Sequence, residues 1–203
     1  SNFGSAPAQG REKKRPMVEL PSKMVSWPEF KSAAPELAAA GESLLLRKRP
    51  HLGWAFIATL RKDGAPRLHP ISVVQAQDRL YVIIPHSSPK CADLLRDGRY
   101  ALQAFPPSAG EPGGEFYLAG VAERIQDPAV CQAILDETGV RVEAGDVLFE
   151  LTLERAMFTY LVAEGTVDEH PVHLTWPAAC SAGTSGDSGD SSRPPVAKSP
   201  CGD

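Results

Sequence analysis

Two polar clusters interrupt an apolar part of the sequence, and their residue types suit the binding of a phosphorylated ligand. The first cluster, 67–70, reads RLHP, and the second, 86–90, reads HSSPK. Hydrophobic packing requires neither cluster. Arginine and lysine bind phosphate oxygens through charge-assisted hydrogen bonds, so the two clusters could converge on such a ligand if they lie on one sheet.

The second cluster has the features of a helix start. Ser87 or Ser88 can act as the N-cap, and Pro89 suits the first helical position, where no amide donor is needed. The free amides of that helix end favour an anion, and Lys90 adds a charge beside them. The same residues are also typical of ordinary helix capping, and Arg67 is also typical of a solvated strand residue. Both interpretations stay open at this point.

The elements that must position these clusters are antiparallel strands. Asp63-Gly64 separates two β-rich runs and is a strong hairpin signal, because the turn needs positive φ. Helices are expected from Ser26 to about Arg47, divided at Pro35, and over 129–138. The predicted strands are 56–60, 66–75, 80–84, 100–105, 115–125, 147–153 and 157–163, followed by an extended segment, 166–176.

The order of these pieces resembles the flavin-binding split barrels related to pyridoxamine 5'-phosphate oxidase, over about residues 26 to 176. The matching stretches are FIATLRKDGAPRLHPISV (56–73), DRLYVIIPHSSPKCADLLRDGRYALQAF (78–105) and EFYLAGVAERI (115–125). In such proteins a strand arginine, a Ser-x-Lys helix start, a Leu-Leu-Arg-Asp segment and a Gly-x-Ala-Glu-Arg strand follow in that order. The corresponding residues here are Arg67, 88–90, 94–97 and 120–124.

The resemblance implies a mainly β fold with peripheral helices, a six-stranded antiparallel split β-barrel. It also implies a homodimer with flavin mononucleotide (FMN) at the interface. Arg67 and Lys90 would hold the phosphate, and Ser88 would donate a further hydrogen bond. The full set of implied cofactor-binding residues is Arg67, His69, Pro70, Ile83, Ile84, Ser87, Ser88, Lys90 and Gln103, with Glu115 as a further candidate.

The sequence also departs from the oxidases that give the family its name. Those enzymes end in an Arg-x-x-Arg-Leu-His-Asp-Arg segment that grips the substrate phosphate, whereas here the pattern ends at 173–177, HLTWP. Pro89 stands where they carry a second basic residue. We therefore expect no vitamin B6 oxidase. We expect an FMN-dependent oxidoreductase that transfers hydride between the flavin and an unidentified small organic substrate or nicotinamide.

Two alternatives keep the barrel. In one, a deazaflavin cofactor or haem replaces FMN, and His170 or His173 is the natural axial ligand for haem. In the other, the protein binds flavin without catalysis. His170 and His173 do not predict a metal site, because residues three apart on an extended chain face opposite sides. His69 and His86 are the candidates to move protons near neutral pH.

Composition favours a single cytoplasmic domain. The 203 residues can bury one sizeable core, and a net charge of −4 gives no electrostatic case for nucleic acid. No apolar stretch approaches the roughly 20 residues that span a bilayer, so we expect no membrane partner. The domain is predicted over 26–177, between an unstructured segment or processing remnant (1–25) and an unstructured Ser/Gly/Pro-rich tail (178–203). Cys91 and Cys131 are expected to be reduced structural thiols.

Overall fold

The computed structural model describes residues 23–47, 49–107 and 113–177. The helices within these ranges are α1 (Trp27–Ala33), α2 (Pro35–Leu45), α3 (Pro89–Arg96) and α4 (Pro128–Thr138). The strands are β1 (Leu52–Leu60), β2 (Pro66–Ala76), β3 (Arg79–Pro85), β4 (Arg99–Ala104), β5 (Glu115–Ile125), β6 (Asp146–Val162) and β7 (His170–Trp176).

Six of the strands form a closed antiparallel barrel. The strand order is β3-β2-β1-β4-β5-β6-β7, and β3 also pairs with β6, which closes the ring and leaves β7 outside it. The predicted hairpin joins β1 to β2, with Gly64 at a φ of 81° in its turn. The fold class predicted from the sequence, a six-stranded antiparallel split barrel with peripheral helices, is therefore confirmed.

The barrel opens between the first half of β2 and the last residues of β3. These two strands pair only from Val73 against Val82 to Ala76 against Arg79. Before Val73, the strand β2 pairs with β1, and beyond Val82 the strand β3 pairs with β6. The segments 66–72 of β2 and 83–85 of β3 do not pair with each other, and we call their two facing edges the split. The helix α3 follows β3 directly.

The strand β6 corrects one sequence-based prediction. Two strands, 147–153 and 157–163, were expected, but the structure has one continuous strand, Asp146–Val162. The polar pair Glu154-Arg155 suggested a break, whereas it forms a β-bulge. Ala119 pairs with Arg155 and Gly120 pairs with Leu153, which leaves Glu154 as the extra residue. A bulge bends a strand without ending it. This long strand pairs with β3, β5 and β7 along different parts of its length.

The main core fills the barrel and continues under α1 and α2. Trp27 and Phe30 of α1 are fully buried, and their rings lie 5.2 Å apart. The predicted capping box begins α1, because the Glu29 carboxylate accepts hydrogen bonds from the amide and hydroxyl of Ser26 at 2.7 and 2.8 Å. Pro35 begins α2 and separates the two helices, as predicted.

A second, smaller core lies outside the barrel under α4. Ile134 of that helix is fully buried against Val74, Tyr81 and Leu148. The helix begins where Asp127 accepts a hydrogen bond from the Ala129 amide at 2.9 Å. The helix therefore packs over β2, β3 and β6, and Ile83 on the β3 edge of the split also packs against this second core.

Both cysteines in the described ranges are free thiols, in agreement with the sequence-based prediction. Cys91 is buried in the main core, and its burial raises the pKa of the thiol. Cys131 is partly buried beside the second core. The predicted unstructured tail lies outside the described residues, as does the N-terminal segment before residue 23. Within the described ranges, no helix is long and apolar enough to cross a membrane.

The N-terminal segment joins the barrel at Val25. The Val25 amide donates to the Leu153 carbonyl at 2.9 Å, and the Leu153 amide donates back at 2.7 Å. This isolated bridge lies beside the bulge in β6. The part of the 1–25 segment that the structure describes is therefore attached to the sheet.

The pairing of β5 with β6 should depend on glycine at position 120, because glycine has no Cβ. A Cβ at this position would lie 1.9 Å from the Thr152 carbonyl oxygen, which is backbone and cannot move independently. We expect Gly120→Ala to lower the free energy of unfolding by about 2 kcal/mol, because the bulged β5–β6 pairing must shift. Gly145→Ala is the control, since a Cβ there meets nothing within 4 Å. Equal denaturation midpoints for the two variants would contradict the prediction.

Candidate cofactor site at the split of the barrel

The split gathers most of the residues that the sequence predicts to bind a cofactor. Arg67, His69 and Pro70 lie on its β2 edge, and Ile83 and Ile84 lie on its β3 edge. Among the described strands, each edge is paired on one side only. Backbone amides and carbonyls on the open sides can therefore bind the polar rim of a ligand, since such groups require a partner when they are buried.

The helix α3 starts beside the split as predicted. Ser88 is the N-cap, with extended backbone, and Pro89 is the first helical residue. The amides of Cys91 and Ala92 donate to the Ser88 carbonyl at 2.9 and 3.3 Å. The Ser88 side chain makes no capping hydrogen bond, so its hydroxyl is available to another group, and Ser87 is exposed.

Lys90 is a half-buried cation with no carboxylate partner in the described part of the chain. Its Nζ donates to the Pro70 carbonyl at 3.1 Å and thereby joins the first turn of α3 to β2. Burial lowers the pKa of Lys90. Since the surroundings disfavour the ammonium charge and supply no acid, an anion placed here would stabilise that charge.

A buried carboxylate lies one helical turn further along α3. Asp93 is only 3 % exposed and faces β1 and β2. Its Oδ2 accepts hydrogen bonds from Arg67 Nε at 2.6 Å and from the Thr59 hydroxyl at 3.1 Å, and its Oδ1 accepts one from Arg96 at 3.2 Å. Burial raises the pKa of Asp93, but these hydrogen bonds outweigh it and hold the pKa below its ordinary value.

The two predicted phosphate ligands lie along the same contact between α3 and β2 but have different partners. Arg67 is bound to Asp93, whereas Lys90 is bound to the Pro70 carbonyl. Arg67 and Pro70 are three residues apart on an extended strand, a separation of about 10 Å. That Arg67 and Lys90 hold one phosphate together therefore stays a prediction.

Gln103 does not lie at the split. It is on β4, where its neighbours across the sheet are Phe56 on one side and Tyr117 on the other. Phe56 belongs to β1, and Pro70 of β2 pairs with it from the other edge of β1. Gln103 and Pro70 therefore belong to one row across the outside of the sheet, two strand spacings or about 10 Å apart. Glu115, the further candidate, lies on β5 beyond this row.

This outer side of the sheet carries several exposed apolar side chains. Trp54 is 49 % exposed and Leu68 is 66 % exposed. Phe56 stacks on Phe105 with 4.4 Å between the ring centroids. We call this surface the outer face; its residues on β2, β1, β4 and the end of β4 are Leu68, Pro70, Trp54, Phe56, Gln103 and Phe105.

The histidines considered as haem ligands lie on β7, the strand outside the ring. His173 Nδ1 is 2.8 Å from the Thr159 hydroxyl, and His170 Nδ1 is 2.9 Å from the Asp168 carbonyl. Both side chains are exposed. No group of three metal-binding side chains occurs among the residues that the structure describes.

Sequence reasoning missed Asp93, Arg96 and Thr59. An aspartate between apolar and basic residues in a short helix is typical of a solvated position, so its type alone gave no signal. The spacing did contain a signal, because the charged residues of this helix recur every three residues and therefore share one helix face: Lys90, Asp93 and Arg96. That face contacts the strands that carry Arg67 and Thr59.

Several solved structures are similar to this chain at low sequence identity. A heme-binding protein from Mycobacterium smegmatis is 20% identical, with 66% of this chain and 57% of that chain covered and a TM-score of 0.47. The match thus spans little more than half of that protein. An F420 reductase is 19% identical over 55% of this chain and 91% of that chain, with a TM-score of 0.42.

A third structure, PhzG from Burkholderia lata 383 in complex with tetrahydrophenazine-1-carboxylic acid, is 16% identical, with 72% of this chain and 91% of that chain covered and a TM-score of 0.45. No family model matches the sequence, and no curated protein matches it.

The Asp93 network should make stability depend on acid. A carboxyl whose pKa is lowered by folding stabilises the protein above its unfolded pKa of about 4, and this contribution disappears as the pH falls through the folded pKa. We expect Asp93→Asn to lower the free energy of unfolding at pH 7 by about 2 kcal/mol. The loss relative to the unsubstituted protein should shrink steadily below pH 4 in urea titrations.

Asp136→Asn is the matched control. Asp136 is exposed on α4, where its one hydrogen-bond partner among the described residues is the Gln132 side-chain amide at 2.7 Å. This variant should follow the unsubstituted protein at every pH. A pH-independent loss in Asp93→Asn would show that the carboxylate charge does not contribute.

Proposed function

We propose that the protein is an FMN-binding oxidoreductase whose cofactor lies along the split. The observation that carries the proposal is Lys90, a half-buried ammonium group without a carboxylate partner in the described residues, at the start of α3. Ser88, whose hydroxyl is unused by the helix cap, lies two residues away. A phosphate would satisfy both groups and the amides of the helix start.

Arg67 is suited to take part in the same phosphate contact. Its Nε is engaged by Asp93, which holds the guanidinium in place, and its side chain remains 28 % exposed. A guanidinium presents five donors, so one hydrogen bond to Asp93 leaves others for a ligand. Asp93 also compensates the charge of Arg67 before a ligand binds.

The ring of the flavin would extend from the phosphate along the open strand edges. The backbone of Ile83 and Ile84 on one edge can bond its polar rim, while the exposed ring of Pro70 supplies apolar contact. A bound flavin supplies hydride acceptance and donation, and the protein orients it and excludes water. His69, half-buried on β2, is the candidate to hold or release a proton beside it.

The outer face suits a second copy of the chain. Trp54 and Leu68 are large apolar side chains that no described element covers, and their surface is continuous with the Pro70 row. Homodimers bury such faces against an identical partner. A dimer formed here would also place Gln103 beside a cofactor that protrudes from the split, and it would complete the site from two subunits.

The phosphate contact can be tested by removing both cations. We expect Arg67→Ala/Lys90→Ala to bind FMN at least about 100-fold more weakly by fluorescence titration, since each charged hydrogen bond contributes roughly 1.5–3 kcal/mol. Riboflavin, which lacks the phosphate, should bind the double variant and the unsubstituted protein equally.

Arg141→Ala controls for the loss of a surface cation, because Arg141 is 65 % exposed and lies after α4. Unchanged FMN affinity in the double variant would overturn the phosphate assignment. Titration with haem and with a deazaflavin cofactor in the same series distinguishes the cofactors. Haem binding that is indifferent to Arg67 and Lys90 but lost in His170→Ala or His173→Ala would replace FMN with haem.

The dimer can be tested with one charge on the outer face. Leu68→Glu places a carboxylate in the centre of the proposed interface, where its burial without a partner would cost several kcal/mol. We expect sedimentation velocity to show monomers at micromolar concentrations, with association weakened roughly 100-fold. Val167→Glu, at a fully exposed loop position, should remain dimeric. A monomeric unsubstituted protein would refute the proposal.

A further inference from the structure

A second group of cations lies beyond the cofactor contact, at the far end of α3. A cleft of about 340 Å³ opens between that helix end and the turn that joins β1 to β2. We call it the arginine cleft, and its lining residues are Arg61, Lys62, Asp63, Arg67, Asp93 and Arg96. Lys90 and the start of α3 do not line it.

The arginine cleft is organised around Asp93. This carboxylate binds Arg67 at 2.6 Å and Arg96 at 3.2 Å, so two guanidinium groups are held against one buried acid. Arg96 also donates to the Leu60 carbonyl, which anchors the end of α3 to β1. The two arginines are therefore positioned before any ligand arrives, and a ligand need not order them.

The charges in the cleft do not balance. Four cations face two carboxylates, although the whole chain has a net charge of −4. Asp93 is shared by two arginines, and Asp63 contacts Arg61 at 3.4 Å and also accepts the Ala65 amide at 3.1 Å. Lys62 has no ion pair within the described residues. Like charges so close together repel, and stability alone does not require four of them.

We propose that the arginine cleft binds an oxyanion, a phosphate or carboxylate group, at a site separate from the Lys90 contact. The ligand's oxygens would bridge Arg96 and Arg67, with Arg61 and Lys62 closing the outer side. Arg67 belongs to both places and lies between them. The cleft therefore suits either a free anion or a second anionic group on a ligand whose first phosphate lies at Lys90.

The experiment measures binding of pyrophosphate, FMN and FAD by calorimetry to Arg61→Gln, Arg96→Gln and the control Arg141→Gln. We expect pyrophosphate to bind the unsubstituted protein and to bind both cleft variants at least tenfold more weakly, with the control unchanged. Arg61→Gln keeps the test valid if Arg96→Gln unfolds, since Arg61 is 49 % exposed and its only ion-pair partner among the described residues is Asp63.

The titrations with FMN and FAD show whether the anion in the arginine cleft belongs to the cofactor or is a free anion. FAD carries one phosphate more than FMN, so a tenfold loss for FAD with a smaller loss for FMN assigns the cleft to the cofactor's second anionic group. Loss for pyrophosphate alone assigns it to a free anion. Absence of pyrophosphate binding together with equal FAD affinity in all proteins overturns the proposal, while leaving the Lys90 test of FMN binding unaffected.

Discussion

The pairing of β3 with β6 is the constraint on which the rest of the structure depends. It closes the ring by directing the last residues of β3, Ile83–Pro85, towards β6 and away from β2. A strand has only two edges, so the first half of β2 loses its partner on that side. The split is thus a consequence of closure, and α3, which follows β3 directly, starts beside it.

Because α3 lies against the sheet beside the split, its inner face is buried, and burial limits which side chains that face tolerates. Asp93 is enclosed between β1 and β2, and a buried carboxylate is tolerated only when it is paired and hydrogen-bonded. Thr59, Arg67 and Arg96 meet that requirement from three different elements. The same network fixes the position of the helix and holds the two guanidinium groups of Arg67 and Arg96 against one carboxylate.

The barrel could be predicted because the order of the sequence stretches resembles the split-barrel family. That resemblance also implied the candidate residues Arg67 and Lys90, while the residues alone predicted the hairpin turn and the capped helix. Asp93 could not be identified in this way, since its burial arises from strands that are remote in the chain. The prediction of a break in β6 was wrong for a related reason. A polar pair such as Glu154-Arg155 is typical of a turn and of a bulge alike, and here the facing Gly120 distinguishes the bulge.

The difference between Arg67 and Lys90 shows why the partners of a cation matter more than its type. Arg67 has an internal carboxylate, so its charge is compensated whether or not a ligand is present. Within the described ranges Lys90 has a carbonyl partner and no carboxylate, and burial lowers its pKa, so its charge is not compensated there. In the proposed site, selectivity for an anionic ligand would therefore depend mainly on Lys90, because it alone of the two would gain a counter-charge on binding. Arg67 would fix the direction of its hydrogen bonds to the ligand, since Asp93 already orients its guanidinium.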